Sequence, residues 1–108
     1  MVFFMNRKQL AIDFAKSLNR PEIEKIILFG SVARGEDTKD SDIDVLIFIK
    51  NEEDEFEIRD DVYSKVMDIV CEQMEYVSAK IIPIKHYEKC KNNSFYTNVD
   101  KEGLVISS

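Results

Sequence analysis

Leu10, Ala11, Phe14 and Leu18 recur at intervals of three and four, the spacing that lines one face of a helix. With Asn6 placed to cap its start and Pro21 to stop the chain beyond it, this predicts an amphipathic helix over about Arg7 to Leu18. Ile23 to Phe29 and Ile43 to Ile49 are short runs rich in Ile, Leu, Phe and Val and predict two strands. Ile58, Val62, Val66, Ile69 and Val70 carry a second helical stripe through an acidic stretch and predict a helix from Glu55 to about Met74. Acidic residues at its start suit the positive end of the helix dipole. Val77 to Ile84 predicts a third strand, which Pro83 confines to a sheet edge or an irregular end. Tyr87 to Lys101 is polar and partly helical in pattern, Gly103 suits a helix stop, and Leu104 to Ile106 is long enough for a short returning strand. The expected fold is α/β (α+β) in class, one domain over residues 1–108, with a small mixed sheet of three to four strands and helices mainly on one face.

Length and charge narrow the function. A chain of 108 residues has room for one core and not for a separate acceptor-binding domain. The net charge is −6 and no stripe of Lys and Arg runs along the sequence, which argues against nucleic acid as a main partner. An acidic protein still binds polyphosphate when metal ions lie between the two. Cys71 and Cys90 stand apart and His86 is the sole histidine, so neither a zinc site nor a disulfide framework is indicated. The opening MVFFM is apolar but is soon followed by Arg7 and Lys8, too short a run for a signal peptide or membrane span, and a cytoplasmic location is expected. The acidic run from Asn51 to Asp61 suits a solvated helix face, with a docking surface for a basic partner as the alternative.

The chemistry concentrates in FGSVARGEDTKDSDIDVLIFI, residues 29–49. Side chains alternate across a strand, so Asp42 and Asp44 share one face with about 6.6 Å between their backbones, while Ile43, Val45 and Ile47 take the other. Two carboxylates that close repel, and one is expected to hold its proton more tightly than usual unless a cation intervenes. Mg²⁺ suits them, since it takes carboxylate and water oxygens and is commonly completed by substrate phosphates. On the other side of the loop, Gly30 leaves the backbone open to close approach. Ser31 brings an N–H and a hydroxyl to the start of a short helix, and Arg34 follows one turn on. No GK[ST] follows, as a Walker A loop would require, and GxGxxG is absent.

A Gly-Ser, a ten-residue spacer and an Asp-x-Asp between two strands resemble the signature of the DNA polymerase beta nucleotidyltransferase superfamily, and GSVARGE is similar to its smallest prokaryotic members. The resemblance is strong over Phe29 to Ile49 and looser elsewhere. It implies a polymerase beta-like fold and nucleotidyl transfer from a triphosphate, ATP above all. Asp42 and Asp44 are then catalytic metal ligands, Gly30, Ser31 and Arg34 nucleotide contacts, and the cofactor Mg²⁺, two ions about 3.5–4 Å apart. It further implies a toxin–antitoxin setting, with a small helical HEPN-type partner whose hydroxyl accepts the adenylyl group. A catalytically degenerate module that neutralises its partner by binding is the alternative, transfer to a small molecule is weaker still, and a homo-oligomer is left open. One departure stands out: active relatives place a third acid on the following strand, where YVSAKIIPIK has none and Lys80 is the aligned residue. Glu75 and Glu88 only flank that strand.

Overall fold

The computed structural model describes residues 6–38, 40–90 and 92–107, so the MVFFM run lies outside the described residues. In chain order the elements are α1 (Arg7–Ser17), β1 (Ile23–Phe29), α2 (Gly30–Arg34), β2 (Ile43–Ile49), a 3-10 turn (Glu52–Asp54), α3 (Glu55–Gln73), β3 (Val77–Pro83), α4 (Ile84–Cys90), α5 (Ser94–Glu102) and β4 (Leu104–Ser107). The four strands form one mixed sheet in the order β3-β2-β1-β4. β1 is antiparallel to both β2 and β4, and β2 is parallel to β3. A parallel neighbour needs a long crossover, which α3 supplies with 19 residues.

The central strands β1 and β2 are apolar on both faces because both faces are covered. On one side Ile26 and Leu28 of β1 and Ile43, Val45, Ile47 and Ile49 of β2 pack under Leu10, Ala11 and Phe14 of α1 and Ile58, Val62 and Val66 of α3. On the other, Ile27, Leu46 and Phe48 meet Tyr96 and Val99 of α5, with Tyr87 and Cys90 of α4 beside them. The two long helices thus share one face, as expected, and the opposite face carries a smaller cluster under two short helices. That cluster is where the partly helical tail goes: Phe48 and Tyr87 stack edge to face at 5.0 Å, and the Tyr87 hydroxyl donates to Asp100.

Local signals match their elements. The Asn6 side chain accepts from the Lys8 N–H at 2.8 Å, capping α1. Pro83 ends β3, which is an edge strand, and Gly103 ends α5. Since Ile47 is fully buried between helix and sheet, Ile47→Ala should cost about 2–4 kcal/mol in a urea or thermal melt. Phe56→Ala, at a site 79% exposed on α3, should change stability by less than about 0.5 kcal/mol.

Candidate active site

β1 ends at Phe29 and the chain turns at once into α2 through Gly30, whose φ is +77°. A side chain there would be doubly unfavourable. The positive φ is a backbone region that L residues rarely adopt, and a Cβ would lie 2.6 Å from the Asp44 Oδ2. The sequence predicted that Gly30 leaves room for a close approach. What comes close in the structure is the carboxylate of Asp44, which β2 returns alongside Phe29 as its cross-strand partner.

α2 is held at both ends. Val32 and Ala33 are buried against the core, and Gly35, with φ +73°, closes the turn in a Schellman pattern: its N–H donates to the Val32 carbonyl and the Glu36 N–H to the Ser31 carbonyl. The loop that follows is braced by itself, the Ser41 N–H donating to the Thr38 carbonyl and the Thr38 N–H to the Ser41 hydroxyl, both at 3.0 Å. A strap from α1 then fixes it to the body. Arg7 donates to Asp37 at 3.3 Å and to the Thr38 carbonyl, and pairs with Glu75 at 3.1 Å. Sequence reasoning missed Arg7. Its signal was a cation at a helix N-terminus, where the dipole disfavours it and a tertiary partner must compensate.

Asp42 lies just before β2 and is exposed; Asp44 lies within it and is partly buried. Asp44 belongs to the row Asp44, Leu46, Phe48, whose inner members sit in the smaller core, so its carboxylate stands where that face opens to solvent. Burial lifts the Asp44 carboxyl above its ordinary value of 3.8, the Asp42 charge adds to the lift, and Lys80 opposes it.

The other predicted residues are placed less directly. Ser31 is partly buried in the first turn of α2, where Phe29 provides no side-chain cap. Arg34 is exposed and pairs with Glu36 at 3.3 Å and Glu102 of α5 at 3.2 Å. Reaching a phosphate would mean leaving these partners, and exposed ion pairs of this kind are worth only about 0–1 kcal/mol.

The register of β3 places its side chains relative to the aspartates. Ser78 pairs with Asp44, and Lys80 pairs with Leu46, so Ser78 is the β3 residue beside the aspartate and Lys80 follows on the same face two residues on. Glu75 sits at the correct end of β3, but Arg7 engages both of its oxygens. Glu88 follows the far end of β3 on α4, a strand length of about 20 Å away from the aspartates. Among the described residues no group of three or more His, Cys, Asp or Glu is placed to hold a metal. The donor set is two carboxylates, which fits one divalent ion with open positions for phosphate and water.

Comparison with known proteins identifies the family. A family model described as polymerase beta, nucleotidyltransferase matches residues 12–108. A Methanocaldococcus jannaschii protein, MJ0604, which carries a provisional protein-adenylyltransferase name, is 35% identical over 109 residues, covering 94% of this chain and 99% of its own. Among solved structures, one from Sulfolobus solfataricus, provisionally a nucleotidyltransferase by name, superposes with a TM-score of 0.56 at 18% identity over 97% of this chain and 89% of its own. A mutant of the toxin–antitoxin complex MntA–HpeT gives 0.54 at 16%, and a toxin–antitoxin structure with AMP-PNP gives 0.51 at 18%; each covers 94% of this chain and 73% of the other. At these identities the solved structures speak for the fold.

Two outcomes follow for the apo protein. Because the folded state raises the Asp44 pKa, the fold binds that proton more tightly than the unfolded chain, and stability falls as pH rises from the ordinary carboxyl range through the raised value. Asp44→Asn should then be more stable than wild type at pH 7 by about 0.5 kcal/mol, with the difference shrinking below about pH 4, measured as Tm against pH by circular dichroism. Gly30→Ala should destabilise by about 1–3 kcal/mol. In a double-mutant cycle Asp44→Ala should recover the part due to the Cβ–carboxylate clash and leave the part due to φ.

Proposed function

The chain belongs to the polymerase beta nucleotidyltransferase family and is a nucleotidyltransferase, and on that premise we propose that it transfers an adenylyl group from ATP, with Mg²⁺, to a hydroxyl of a protein partner in the cytoplasm. The partner we infer is a small helical HEPN-type toxin, for which this chain is the antitoxin. The observation that carries the proposal is Asp44, two residues on from Asp42, folded against the Gly30 turn, in a chain related over nearly its full length to an adenylyltransferase-named protein. Neighbouring folds found in toxin–antitoxin complexes, one with AMP-PNP, support the partner class and the nucleotide.

In this proposal Asp42 and Asp44 hold the metal, which supplies positive charge to the phosphates and makes an acceptor hydroxyl more acidic. The open first turn of α2 presents backbone N–H groups and the Ser31 hydroxyl to phosphate oxygens. Gly30 contributes by absence, since any Cβ there would push the Asp44 carboxylate out of the site. Arg34 turns from Glu36 and Glu102 to a phosphate oxygen, exchanging exposed ion pairs for a charge-assisted bond. The acceptor oxygen forms a bond to the α-phosphorus, the bond to the β-phosphate bridging oxygen breaks, pyrophosphate leaves, and the acceptor proton passes to solvent. Arg7 acts on none of these atoms; it keeps the loop that delivers Asp42 fixed to α1 and to the α3–β3 turn.

Calorimetry should show ATP binding in the presence of Mg²⁺ and its loss under chelation, because two aspartates otherwise repel a polyanion. Asp42→Asn or Asp44→Asn should lower transfer of labelled nucleotide to a co-expressed partner by about 100-fold or more while the fold persists. Full activity in both variants would place the metal ligands elsewhere.

A further inference from the structure

Four observations bear on how many ions the site can hold. First, the β3 residue paired with Asp44 is Ser78, a neutral hydroxyl. Second, the remaining acid at that end of β3, Glu75, is committed to Arg7 through both oxygens. A second divalent ion bridging Asp42 and Asp44 to a third carboxylate therefore lacks its third ligand, and no group of three acids is available among the described residues.

Third, a cation already stands at that edge. Lys80 is exposed on the same face as Asp44, and its Nζ lies 5.5 Å from the centre of the Phe95 ring. Phe95 in turn meets Phe29 edge to face at 5.7 Å, and Phe29 is the cross-strand partner of Asp44. The ammonium thus rests on an aromatic pair beside the end of β1, on the sheet face that carries Asp44. Fourth, among the described residues Lys80 forms no ion pair with a carboxylate, as is true of several other lysines, so no acid already engages its ammonium. Its charge is felt by Asp44 without being consumed by it.

Charge arithmetic gives these facts a direction. One divalent ion neutralises the two aspartates and leaves the negative charge of a polyphosphate to be met by something else. A fixed ammonium meets it, and the same ammonium repels a second dication. Resting on the nucleotidyltransferase assignment, we propose that this site works with one divalent ion, and that Lys80 is the fixed cation that grips the polyphosphate where a second ion would otherwise sit.

Equilibrium dialysis of the full chain with Mn²⁺ and a non-hydrolysable α,β-methylene ATP analogue tests this without turnover. One Mn²⁺ per bound nucleotide is expected for wild type. Lys80→Met should weaken nucleotide binding by about 10-fold with an unchanged circular dichroism spectrum, and Lys80→Arg should restore most of it. Two Mn²⁺ per bound nucleotide in wild type, or undiminished binding by Lys80→Met, overturns the one-ion proposal and leaves the nucleotide site standing. Wild-type protein that binds neither analogue nor ATP with Mn²⁺ overturns the nucleotide site itself and the proposal with it.

Discussion

The Asp44 carboxylate occupies the space that a side chain on residue 30 would fill, and the geometry of the site unfolds from that contact. Because Gly30 yields the space and takes the positive φ, the chain can leave β1 at Phe29 and start α2 directly beside the strand that carries the aspartates. Val32 and Ala33 then seat α2 in the core, Gly35 releases it, and the Arg7-strapped loop brings the chain back at Asp42. The ten-residue spacer of the motif is the length of this path, out through a short helix and back through a braced turn. The α2 turn and the Asp44 carboxylate meet because one residue has no Cβ.

The two faces of the sheet set the environment. The face under α1 and α3 is closed along the whole of β2, from Ile43 to Ile49. The other is closed over Leu46 and Phe48 by α4 and α5 and opens at Asp44. A single row of side chains therefore runs from dry interior to solvent. Asp44 sits at the boundary, where charge is costly enough to shift its proton affinity yet reachable by a ligand.

Much of this was readable in the residues, for local reasons. The alternation in IDVLIFI identifies the aspartate face because side chains must alternate on a strand, and the stripes of α1 and α3 identify their buried sides because each helix covers one sheet face. What escaped was non-local. The slide of β3 against β2 is decided by packing across the α3 crossover, so the placement of Ser78 beside Asp44 and of Lys80 beside Leu46 could not be read from the residues alone. The pairing of Arg34 with Glu102, 68 residues away, likewise leaves no local trace in the sequence. The smaller core escaped too, since its buried Tyr96 and Val99 stand among polar residues without a sustained stripe.

β3 lies at the edge of the sheet, hydrogen-bonded to β2 alone. Ser78 and Lys80, on the β3 side of Asp44, are therefore carried by an edge strand with one neighbour, and the Lys80 side chain is exposed. A codon change at either position can rewrite the local charge without repacking the protein. The charge beside the aspartates is thus free to vary while the fold and the surfaces on the other side of the sheet stay constant. The same architecture that makes the aspartate pair hard to alter makes the third corner of the site evolvable.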